Sequence, residues 1–92
     1  MSMDPRYAAQ RKYAAKRRQA YRDMLNAVKD TPCKDCGGRF PPVCMDFDHV
    51  RGEKLFQLAE GFCRSAADVA DEIAKCEVVC ANCHRIRTHS RL

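Results

Sequence analysis

The chain has 92 residues, seven of them cysteine, and a formal net charge of +5. A chain this short builds one small domain plus an appendage, and its core needs a staple such as a bound metal. No apolar run reaches membrane-spanning length and "MSMDPRYAAQ" has no apolar signal core, which excludes a membrane span and sets the expectation of a cytoplasmic, reducing location.

Asp4-Pro5 reads as a helix start, an acid at the N-cap followed by proline at the first helical position. From there to about Lys29 nothing breaks a helix, and Tyr7, Ala14, Tyr21 and Val28 recur every seventh residue with Met24 and Leu25 alongside. That stripe must pack on something. Its first half is thin in large apolar groups, so the N-terminal turns are expected to project from the body. The positive charge is concentrated here: residues 1–30 carry eight Lys and Arg against three Asp, while residues 31–92 balance at nine and nine. Residues 1–31 therefore read as a basic helical arm. Either it meets a polyanion, nucleic acid first, through Arg11, Lys12, Arg17 and Arg18, or it presents a solvated face.

"DTP", residues 30–32, ends the helix, and "CKDCGGRFPP" follows as a tight knuckle. "VCMDFDHV" alternates and is rich in strand formers. "RGEKLFQL" reads as a turn with a second short strand, or as an extended loop. Ser65 followed by Asp68 forms a capping pattern ahead of a short helix through "SAADVADEIAKC". "EVV" reads as a brief strand or an extended link into the second knuckle, and "HRIRTHSRL" begins a final helix.

Two CxxC pairs stand out, Cys33 with Cys36 and Cys80 with Cys83. Without a secretory context such pairs read as metal ligands before disulfides, with a redox CxxC as the competing reading. Two knuckles supply four thiolates, a closed tetrahedral set for structural zinc. Zinc ribbons often place the second pair about 15 to 20 residues after the first. Here a strand, a loop and a helix intervene, so the metal clamps an inserted ββα-like unit and the arrangement suggests a treble-clef finger. Cys44, Cys63 and Cys76 remain, each expected to be a small buried hydrophobe.

In "DFDH", Asp46 and Asp48 project to one side of the strand among Val43, Met45, Phe47 and Val50. Carboxylates in an apolar setting need partners, and a metal ion is one; an exposed strand end with solvated acids is the alternative. His84 follows Cys83 with no gap. Consecutive helix residues point about 100° apart, so if Cys83 faces the zinc, His84 turns towards the strand that carries Asp48.

CxxC, an Asp-His pair in a strand, then CxxC followed at once by a polar helix residue resembles the HNH endonucleases, the ββα-metal or His-Me finger group. The resemblance is narrower to their zinc-bearing treble-clef branch, which includes phage endonuclease VII and small phage and bacterial HNH proteins. It covers about residues 33–89. It implies an α+β fold: a zinc-stapled HNH nuclease core over residues 32–92, preceded by the long basic helix. It also implies that Asp48 and His84 hold one catalytic divalent metal, Mg²⁺, Mn²⁺ or another transition metal, with His49 as general base. The implied reaction is metal-dependent cleavage of DNA leaving 3′-hydroxyl and 5′-phosphate ends. The expected partner is double-stranded DNA, and because no base-reading module is visible in the sequence, contacts mainly to phosphate with weak sequence preference are expected. Imidazole can take a proton near neutral pH, and a hard cation with few protein ligands leaves positions open for phosphate oxygen and water. The sequence departs from the family at the middle Asn of the motif, where it has "AKCE".

Arg85, Arg87 and Arg91 follow His84 on the last helix, and Arg51 and Lys54 lie in "RGEK". All are candidates for phosphate contact, or are solvated. The arm is expected to grip the duplex, to pair with a second copy, or to dock on a larger phage enzyme. A non-catalytic zinc module that binds nucleic acid, or an adaptor, is the rival reading. It explains the cysteines and the arm but gives Asp48, His49 and His84 no purpose.

Overall fold

The computed structural model describes residues 5–92. The expected N-cap, Asp4, lies outside the described residues. Helix α1, Pro5–Val28, runs 24 residues, about 36 Å at the usual helical rise. Its length follows from frequent alanine and from the absence of glycine or proline beyond Pro5. The last turn closes with an ordinary helical bond, Lys29 N–H to the Leu25 carbonyl at 3.0 Å, and a tighter 3-10 type bond, Asp30 N–H to the Ala27 carbonyl at 3.2 Å. Pro32 then keeps Thr31 out of the helical region.

The seven-residue stripe is used in its second half. Leu25 is buried, Tyr21 and Val28 are half-buried, and the Tyr21 hydroxyl donates to the Leu58 carbonyl. Tyr7 and Tyr13, by contrast, are 54% and 65% exposed. The N-terminal half of α1 therefore projects, as expected, and the molecule measures 54 × 27 × 23 Å.

A 3-10 turn at Pro42–Cys44 leads into β1, Met45–His49. The segment from Val50 to Gln57 forms no strand; it runs as a loop into a 3-10 helix, Leu58–Cys63. Gly52 sits in the loop at φ 69°, a conformation that glycine adopts without strain. Gly61 is tightly enclosed, since a Cβ there would run into the Tyr21 hydroxyl and the Phe56 ring. Helix α2, Ala66–Ala74, is capped as expected, with Ser65 Oγ accepting from Asp68 N–H at 3.1 Å. Strand β2, Cys76–Cys80, is antiparallel to β1, pairing Met45 with Cys80, Asp48 with Glu77 and His49 with Cys76. Helix α3, Ala81–Ser90, follows β2 directly. The architecture is thus a small mixed fold, with three α-helices and a two-stranded sheet among the described residues. Its main core is small: Cys33, Met45, Val79 and Cys80, with Val78 and Cys83 packed against them. Among the described residues no helix is long and apolar enough to cross a membrane.

Candidate metal centre and neighbouring cleft

The four paired cysteines converge. The sulfurs of Cys33, Cys36, Cys80 and Cys83 lie within 4.8 Å of one another. The first knuckle closes because Gly37, at φ 73°, donates to the Cys33 carbonyl at 2.8 Å while Cys33 donates to Gly38 at 2.8 Å. Lys34 N–H ties that knuckle to the Val78 carbonyl at 3.0 Å. The second knuckle starts α3: Cys80 Sγ caps the helix by accepting from Cys83 N–H at 3.4 Å, and Cys33 Sγ accepts from Cys80 N–H at 3.2 Å.

The protons on these sulfurs are unevenly held. Burial raises the Cys33 pKa, but the backbone N–H groups of Cys36, Cys80 and Asp35 outweigh it and bring the thiol down to about 6. Cys83 is pushed up to about 12, first by its hydrogen bond to the Cys80 sulfur and then by burial. Four crowded thiols cannot all ionise beside one another unless a cation gathers them. Four soft donors with no open position suit a structural metal such as zinc.

The other three cysteines stand apart. Cys76 is half-buried, donates to the Glu72 carbonyl at 3.4 Å, and has its pKa pushed up to about 11, chiefly by burial. Cys44 and Cys63 are exposed rather than buried, because each closes a short 3-10 segment on the surface.

A cleft of about 530 Å³ opens beside the sheet, lined among others by Lys29, Asp46, Asp48, His49, Lys54 and His84. Strand β1 supplies Asp46, Asp48 and His49, while the first turn of α3 supplies His84. Asp46 and Asp48 share the face that meets His84: His84 Nδ1 is 3.0 Å from Asp46 Oδ2 and His84 Nε2 is 3.6 Å from Asp48 Oδ1. If Nδ1 carries the proton to Asp46, the Nε2 lone pair points at Asp48. Two donors about 2.1 Å from one cation stand roughly 3 to 3.6 Å apart, and the 3.6 Å between Asp48 Oδ1 and His84 Nε2 lies at the upper end of that range. An imidazolium bridging both carboxylates uses the same geometry.

Asp48 is already well served. It is 3% exposed, and Arg91 holds it at 3.1 Å and 2.8 Å while Arg87 Nη1 reaches Oδ2 at 2.9 Å. The Arg91 hydrogen bonds first, then Arg87, hold its carboxyl down to about 2 against the effect of burial. A cation at Asp48 would therefore share Oδ1 with Arg91.

His49 has a different partner, Glu72, with Nε2 2.9 Å from Oε2. Glu72 on α2 is 1% exposed, and Lys75 first holds its carboxyl below the ordinary range. Sequence reasoning passed over this pair. Its signal was present, because Glu72 lies three residues after Val69 on the face of α2 that turns inward.

The basic residues divide. Arg87 is committed to Asp35 at 2.6 Å, Asp48 at 2.9 Å and Glu77 at 3.1 Å, and it holds the Asp35 carboxyl low. Arg51 Nη1 donates to the Ala74 carbonyl. Lys54 lines the cleft, and Arg85 is exposed. On α1, Lys12 is exposed; Arg11 and Arg17 lie over the rings of Tyr7 and Tyr13, and Arg18 stacks on Phe62 at 4.7 Å. No protein-family model matches the chain, and no curated protein or solved structure matches it either.

Proposed function

We propose that the protein is a metal-dependent endonuclease of the HNH type that nicks or cleaves DNA, with zinc on its four cysteines as a purely structural staple. One observation carries the reading: Asp46, Asp48, His49 and His84 line a single cleft, with His84 held between the two carboxylates. A structural cluster of like donors lies one residue away on the same helix, so the cleft groups are left for chemistry.

Asp48 Oδ1 and His84 Nε2 would hold the catalytic cation, with Asp46 orienting the imidazole. When bound, that cation supplies counter-charge for the phosphate oxygens. His49 takes the proton of the attacking water. Lys29 and Lys54, both on the cleft wall, meet neighbouring phosphates, and the projecting half of α1 grips the duplex backbone through Lys12 and its other basic residues. Contacts of that kind read charge and shape, so binding is expected to be weakly sequence-selective and steeply salt-dependent.

Supercoiled plasmid incubated with Mg²⁺, Mn²⁺ or Ni²⁺ tests this reading. The native chain is expected to nick, and His49→Ala to slow nicking roughly 10²- to 10⁴-fold. Absence of nicking with every metal, or equal nicking by His49→Ala, overturns it. A second reading, a non-catalytic zinc module that binds nucleic acid, draws on the two arginines that already neutralise Asp48. Salt-sensitive plasmid retention without nicking is its signature.

A further inference from the structure

We propose that Glu72 is a positioning residue for His49: its carboxylate, clamped by Lys75 and the Leu55 amide, accepts the Nε2 proton and leaves Nδ1 as the basic nitrogen open to the cleft. The inference rests on the nuclease reading for its consequence in catalysis, and on geometry alone for the tautomer.

The carboxylate meets three donors. Oε2 lies 2.9 Å from His49 Nε2 and accepts from Leu55 N–H at 3.1 Å; Oε1 accepts from Lys75 Nζ at 2.9 Å. Lys75 Nζ is anchored in turn on the Glu53 carbonyl at 2.7 Å. A carboxylate without a proton can only accept, so the 2.9 Å contact requires hydrogen on Nε2. Among the described residues no buried side-chain nitrogen or oxygen lacks a partner, and the His49 ring has no partner besides Glu72. Nδ1 therefore reaches solvent, and His49 lines the cleft. The strand register fixes the other side, since His49 pairs with Cys76, one residue beyond Lys75. A buried glutamate whose sole task was to pair with Lys75 would not need an imidazole on its second oxygen.

The test uses the full, zinc-loaded chain and reads the tautomer directly. Two-bond ¹H–¹⁵N correlation spectra of the His49 ring, taken where imidazole is neutral, are expected to show the Nε2–H form predominating. Glu72→Gln keeps the shape but cannot satisfy Lys75, Leu55 and His49 together, because either orientation turns its NH₂ towards a donor. It is expected to shift His49 towards the Nδ1–H form and to slow nicking by roughly 10- to 100-fold, while plasmid retention stays unchanged. A predominant Nδ1–H form in the native chain overturns the proposal, whatever the variants do. So does a Glu72→Gln variant that keeps the native tautomer and nicks within about twofold of the parent. Should Glu72→Gln fail to fold, the native spectrum still decides. If His49→Ala nicks like the parent, the nuclease reading falls, and the tautomer result stands independently.

Discussion

The cysteine cluster and the cleft share α3, yet they are assembled in opposite ways. The cluster gathers four like donors from two short motifs, each closed by local hydrogen bonds around its knuckle. The cleft gathers unlike groups across long stretches of chain: His49 and Glu72 are 23 residues apart, Asp46 and His84 38, Asp48 and Arg91 43. Like donors repel until a cation arrives, whereas opposite charges satisfy one another as the chain folds. The cluster should therefore depend on metal for its existence, and the cleft should depend on its arginines.

Removing the metal probes the first half of that contrast and has the largest expected effect. Cys80→Ser, or a strong chelator, should abolish the cooperative unfolding transition of the body, since zinc binding in small domains is linked to folding by on the order of 10 kcal/mol. Thermal melts followed by circular dichroism, with zinc counted by native mass spectrometry, check it. A chelated chain that melts as before would show that the cluster holds itself together without metal.

Arg87→Ala probes the second half. It strands Asp48 and Asp35, and because Arg87 and Asp48 are both largely buried, a loss of about 3 kcal/mol is expected in urea unfolding. Arg91→Ala should cost less, since its side chain is 52% exposed. Equal, negligible losses would mean that the arginines contribute little to holding the cleft.

The smallest effect is in acid. Asp48 titrates at about 2 in the folded chain against an ordinary 3.8. Its contribution, about 2 kcal/mol, is fully present above the ordinary value and is lost as pH falls towards the folded one. Stability measured between about pH 4 and pH 2 should fall, and Asp48→Asn should flatten that slope. An unchanged slope in Asp48→Asn would place the acid-sensitive group elsewhere.

The same contrast explains what could be read in advance. CxxC spacing, the Ser65 cap and the proline after α1 are signals within a few residues of where they act, and each corresponds to a feature of the fold. The 3-10 helix at Leu58–Cys63 has no such signal; it is held from outside, by Tyr21. For the cleft, residue types were legible but partners were not. Nothing near Asp48 in the sequence announces Arg91, and the pairing exists because α3 runs back along β1. The sequence offers Arg87 as a phosphate contact or a solvated side chain, whereas its three carboxylate neighbours come from three different parts of the chain.

The projecting half of α1 has a hydrodynamic consequence. A compact chain of 92 residues has a radius of gyration of about 12 Å, whereas this one has 16.4 Å. That radius belongs to a compact chain of roughly 200 residues. A single copy will thus elute from a sizing column and tumble in solution much as a globular pair would. Molar mass from light scattering, rather than elution volume, is the measure that distinguishes one copy from two.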